Sequence, residues 1–209
     1  MRLPLAARVY VCVVIASGAM IFGASLPSVP VERAGLIIAL LALSVITSAL
    51  KADMPLGVGS SCISLSYVVD FTALLLLGPA AAMLIAAASA CAQCTFRMNE
   101  RNAAYKTIFS MATLALTVAA AGAIYRSFGG THGDLSAPLQ PLMAAAMTYF
   151  LVNSLAVAAA FALATRRRIL TVWHDNFLWS ITSYVVGAVA AGIAVELFHR
   201  AGQWQTVLA

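Results

Sequence analysis

Residues 60–94 read SSCISLSYVVDFTALLLLGPAAAMLIAAASACAQC and carry the one acid set deep in an apolar run, Asp70. Gly78-Pro79 divides the run in two. Before the break the side chains are bulky: Tyr67, Val68, Val69, Phe71 and Leu74 to Leu77. After it they are mostly alanine, with Ala82, Ala86, Ala90 and Cys94 four apart on one helical face. A ridge of small residues lets a second backbone come close, which is how helices associate in lipid, where the hydrophobic effect does not drive them together. The stretch predicts a helix, a tight break and a second helix, with a buried acid on the first.

The rest of the chain places that hairpin in a membrane. Only 9% of the 209 residues are charged, 63% are hydrophobic, and the mean hydropathy is +0.96. A soluble domain carries roughly a quarter charged residues. The composition therefore predicts an all-α, polytopic bundle of about seven transmembrane helices (six to eight) in a single integral membrane domain over residues 1–209. Expected spans are 6–26, 34–50, 63–77, 79–95, 104–125, 138–165 and 177–198. The third and fourth are short against the roughly 20 residues a bilayer requires. Ile63, Leu65 and Tyr67 alternate with Ser64 and Ser66, so the approach to the third is expected to begin extended or re-entrant. Residues 9–26 are too long an apolar core for a secretory signal, and a retained first span is expected. Glu32-Arg33 reads as a local ion pair, and Ser183, Gly187 and Ala191 as a small-residue face.

Net charge is +5, but the basic residues lie in the gaps between apolar runs, as topology signals do, and form no nucleic-acid surface. With seven crossings and a cytoplasmic N-terminus, nine fall inside: Arg2, Arg8, Lys51, Arg97, Arg101, Lys106 and Arg166 to Arg168. Arg33, Arg126 and Arg200 fall outside. That asymmetry favours the orientation.

An ionisable side chain within a span is costly enough to mark a candidate site. Asp70 shares a helical face with Cys62 and Ser66, and Tyr67 is adjacent. The ligand-binding candidates are Asp70, Tyr67, Ser66, Asn153 and Gln93. One reading is a ligand, cation or proton site facing the bundle interior. The other is a structural acid, hydrogen-bonded to neighbouring hydroxyls or to Asn153 and locking helices together. Cys91-x-x-Cys94 lacks a second pair and a neighbouring histidine, and is read as small residues at a helix interface rather than a metal or redox centre. His174-Asp175 has no nucleophile beside it, and Asp175 is expected to cap a helix. No HExxH, GxSxG, Walker A or paired CxxC occurs. Neither catalysis, nor a metal, nor a cofactor is expected.

The order of features resembles the N-terminal multi-span sensor region of bacterial signalling proteins. The likeness is carried by SLSYVVDFTALLLLGPAAAMLIAAASA, TFRMNERNAAYKTIFSMA, YFLVNSLAVAAAFAL and WHDNFLWS, and covers most of the chain. Such regions precede GGDEF, EAL, HD-GYP or histidine-kinase modules. The resemblance implies a sensor or ligand-binding domain without a catalytic module of its own. Its partners would be the bilayer, a small-molecule ligand, and a cytoplasmic signalling module or partner subunit. No output module occurs within these residues, so a fragment, a truncated product or a stand-alone relative is expected. The alternative is a vitamin-type uptake or substrate-binding subunit, whose membrane bundles also contain a helix ending in Leu-Gly-Pro before an alanine-rich one.

Overall fold

A computed structural model describes residues 4–49, 52–53, 62–63, 66–95, 104–132 and 139–207. The Gly57–Ser61 link, the polar residues 96–103 and Asp134 lie outside them. The helices are α1 (Leu5–Ser25), α2 (Ala34–Ala49), α3 (Ser66–Leu77), α4 (Pro79–Thr95), α5 (Ala104–Ser127), α6 (Leu139–Thr165), α7 (Ile169–Phe177) and α8 (Ile181–Val207). Five helical stretches are long and apolar enough to cross a membrane: Leu5–Ser28, Val31–Ser48, Ala104–Ser127, Gln140–Thr165 and Ile169–Phe198. The fold is helical, as expected. A two-residue antiparallel ladder pairs β1 (Ala52–Asp53) with β2 (Cys62–Ile63). Residue 63, the expected start of the third span, lies in that ladder, and α3 is described from Ser66.

Gly78 and Pro79 make the break, each for its own reason. Gly78 has φ +85°, and its amide donates to the Leu74 carbonyl at 3.1 Å, closing α3. Pro79 is the first residue of α4, where its missing N–H would have had no partner. The chain folds back on itself there. Gln93, near the end of α4, donates to Ser66 Oγ at the start of α3 (2.9 Å).

The hairpin runs the full length of α2. At its tip Arg33, just before α2, donates to the Leu76 carbonyl at 3.0 Å. At its open end Ser48, near the end of α2, hydrogen-bonds Ser89 (3.1 Å), which also accepts from Gln93 (3.0 Å). Arg33 thus caps the α3 C-terminus, where a cation is favoured, instead of pairing with Glu32. The ion pairs among the described residues are Arg200–Glu196 and His174–Asp175.

Helices α3 and α4 form the core, with α2, α5 and α8 around them. Ala82 and Ala86 have no exposed surface and Ala90 almost none. Gly18 brings α1 so close to α5 that a Cβ there would lie 2.6 Å from that of Ala112. Helix α6 ends in a Schellman turn: Arg166 sits at φ +56° and the Arg167 amide reaches the Ala162 carbonyl (3.0 Å). The chain then reverses, and α7 lays Val172, Trp173 and Phe177 along Ala158 and Ala162. The last apolar stretch is thereby split. A 3-10 turn at Leu178–Ser180 separates α7 from α8, which starts at Ile181 and continues past Phe198, with Glu196 and Arg200 paired one turn apart (2.8 Å). Asp175 lies in the last turns of α7 and caps nothing; Arg168 precedes that helix without a side-chain cap.

Candidate functional site

Asp70 lies near the middle of the hairpin, about 9 Å in rise from Leu76 and about 6 Å from Ser66. It is 1% exposed. Oδ2 accepts from the hydroxyl of Tyr149 on α6 (3.1 Å), whereas Oδ1 is buried with no hydrogen-bond partner among the described residues. Half of this carboxyl's capacity is unused in an apolar interior, an arrangement that costs free energy wherever it is kept.

Tyrosine rings enclose the acid on its α6 and α8 side. The Tyr149 ring lies 5.8 Å from Tyr184 on α8, and Tyr184 lies 4.9 Å from Tyr67 on α3. Phe71 stands 5.2 Å from Tyr149, and Phe150 stands 5.4 Å from Tyr184. Asn153 Nδ2 donates to the Tyr184 hydroxyl at 3.0 Å, and the Tyr67 hydroxyl donates to the Ser183 carbonyl. Tyr67 can approach α8 this closely because residue 187 is glycine; any Cβ there would overlap its ring. The Ser183-Gly187-Ala191 face therefore receives one ring of α3, with Ala191 fully buried behind it.

The five expected residues fall into two groups. Asp70, Tyr67 and Asn153 belong to the tyrosine cluster, but Asn153 reaches Tyr184 and not the acid. Ser66 and Gln93 belong to the polar seam that ties the open end of the hairpin to α2 through Ser89 and Ser48. Asp70 and Ser66 are one turn apart on α3, so the groups adjoin. Sequence reasoning missed Tyr149 and Tyr184. Tyr149 was within reach: it precedes Asn153 by four residues, which puts two polar groups on one face of an apolar helix. Tyr184 carried no comparable signal, because only the packing of α8 against α3 and α6 brings it in.

Other candidates lie elsewhere. Cys91 is exposed and Cys94 partly so, and no three His, Cys, Asp or Glu residues among those described could hold a metal. His174 and Asp175 are exposed on α7, 3.4 Å apart. His132 packs at the hairpin tip, stacked on Tyr125 (5.6 Å) and against Gly78. Neither of its ring nitrogens has a hydrogen bond of normal geometry. Burial pushes its pKa below the ordinary 6.5; the Leu74 carbonyl, already engaged by Gly78, opposes this, and the Arg126 charge reinforces it.

Long apolar helices around a hairpin that buries an acid define a membrane-embedded α-helical domain. Residues 33–202 match the family model MASE9, which describes membrane-associated sensor domains, and the chain belongs to that family. No curated protein and no solved structure matches it.

Proposed function

We propose that this domain is the sensor of a bacterial signalling protein in the cytoplasmic membrane, with a small ligand or cation held between Asp70 and the tyrosines. The observation that carries the reading is the bare Oδ1 of Asp70: a fully buried carboxyl oxygen with room in its chemistry for one more donor. A purely structural acid would be expected to use both oxygens to join helices, since a half-satisfied polar network is worse than an apolar core. The family supports sensing. In this reading the chain crosses the membrane seven times with its N-terminus inside, has no catalysis of its own, and acts on an attached cytoplasmic module or partner subunit.

Ligand occupancy would alter the α3–α6–α8 contact. Helix α3 is tied through Gln93 and Ser66 to the end of α4, and α4 leads into the polar connection on the proposed cytoplasmic side. The test uses purified protein in lipid nanodiscs and a panel of alkali cations and small amines, read by thermal unfolding. A stabilising probe should lose its effect in Asp70→Asn, which preserves shape, while that variant alone unfolds near the parental temperature. If no probe distinguishes parent from Asp70→Asn and only Asp70→Leu is unstable, the acid is structural and the reading fails. Accumulation of a labelled vitamin by vesicles would assign the domain to uptake instead.

A further inference from the structure

A groove runs along the outer seam of α3 and α8, lined by Tyr67 and Val68 on one side and by Ser183, Val186 and Gly187 on the other. It begins at the open end of the hairpin, where Tyr67 follows Ser66, and runs along the first turns of α8 from Thr182 to Ala190. Val68, Val186 and Ala190 make its apolar part, with Thr182 and Ser183 as polar groups at one end, and exposed Val186, Val189 and Ile193 give that side of α8 an apolar outer surface. Tyr67 is the wall between this groove and the interior. One side of it lines the groove; through its ring it meets Tyr184, which in turn meets Tyr149, the partner of Asp70.

The chemistry behind that wall suits one class of ligand. Three tyrosine rings at centroid spacings of 4.9 and 5.8 Å, beside a carboxyl oxygen without a partner, form a surface that attracts an organic cation through ring quadrupole and charge together. Among the described residues no lysine or arginine is paired with Asp70; Arg33, the cation of the hairpin, is committed to the Leu76 carbonyl. Among the described residues the acid has no counterion, and the groove beside it faces the hydrocarbon.

Resting on the reading that Asp70 is the sensing site, we propose that the ligand is a membrane-dissolved amphiphile with an ammonium head. Its tail occupies the α3–α8 groove, and its head passes Tyr67 to sit between the tyrosine rings and Asp70 Oδ1. For the head to pass, Tyr67 releases the Ser183 carbonyl, a polar tie that holds it over Gly187. Binding thus breaks a specific α3–α8 contact, which is a means of reporting occupancy.

The experiment compares decylamine, decanol, decanoate and propylamine on protein in nanodiscs, read by thermal unfolding. Three proteins are used: the parent, Asp70→Asn, and Ala190→Phe, which fills the groove from an exposed position without touching the acid. Decylamine at a hundredfold excess over its Kd should raise the parental midpoint by roughly 5–10 °C. Decanol and decanoate should not, and the rise should vanish in both variants while their own midpoints stay near parental. An equal rise in Asp70→Asn would mean general partitioning and overturn the proposal. If decylamine and propylamine act alike, through Asp70 but regardless of Ala190→Phe, the acid remains the site and the groove is not the route. If no amine acts through Asp70, the ammonium ligand is wrong, and the cation arm of the preceding panel decides the sensing site by itself.

Discussion

Tyr149 and Asp70 hold each other in a place where neither would be stable alone. The hydroxyl has the carboxyl as its acceptor, and the carboxyl has that hydroxyl as its only donor among the described residues. Tyr149→Phe should lower stability by about 1–3 kcal/mol, the cost of leaving a buried acceptor unfilled. In an Asp70→Leu background the same change should cost almost nothing. Denaturant titrations of the four proteins in this cycle measure the coupling, and additive losses would mean that the pair does not interact. His132 makes a second, separate residue-scale prediction. Its pKa in the folded protein lies below 6.5, so the unfolded chain binds the proton more readily. Above 6.5 the histidine contributes no pH dependence; as the pH falls from 6.5 through the lowered folded value, stability is lost. His132→Phe keeps the stacking on Tyr125 and should flatten this acid-side slope in unfolding curves taken across the window. An unchanged slope would assign the dependence to other groups.

At the scale of elements, the hairpin is governed by small residues on one helix and by hydrogen bonds at its two ends. Ala86 is fully buried in the alanine ridge, whereas Leu84, two residues earlier, is partly exposed. Ala86→Leu should therefore reduce the detergent-stable folded fraction, with overpacking worth about 1–3 kcal/mol, and Leu84→Ala should reduce it less. Size-exclusion chromatography after mild heating checks the order; equal tolerance would mean that the ridge faces open space. The same logic explains Gly18 on α1 and Gly187 on α8, where a neighbour occupies the volume a side chain would need. Arg33 is a different kind of tie. It joins the start of α2 to the end of α3 and sets the tip of the hairpin level with that end of the bundle.

For the whole molecule, the level of the hairpin decides how the chain is threaded. Its tip meets the beginning of α2 and its open end meets the end of α2, so the hairpin covers the same depth as a 16-residue helix. On the proposed seven-crossing topology a hairpin of that reach would count as two crossings, the arrangement that puts nine basic residues on one side and three on the other. Cysteine labelling in intact cells tests the arrangement: Thr131→Cys, exposed beyond the end of α5, should react with an impermeant maleimide, and Asn102→Cys should not. The opposite pattern would invert the topology.

The helical class, the membrane setting, the Gly78-Pro79 break and the burial of Asp70 were legible in the chain, because each rests on a local property. Hydropathy, a backbone that cannot continue a helix and the cost of an acid in an apolar run need no knowledge of neighbours. The smaller boundaries were less legible: α7 exists because Arg166 adopts a left-handed turn that reverses the chain onto Ala158 and Ala162, a packing choice that composition does not encode. The partners of the acid were the least legible. Asn153 carried the stronger polar signal, yet Tyr149, one turn away on α6, faces Asp70, and Asn153 is turned to Tyr184. One helical turn separates these alternatives on the same face, and the axial register of α6 against α3 and α8 is set by the summed fit of many side chains. That sum belongs to the tertiary structure alone.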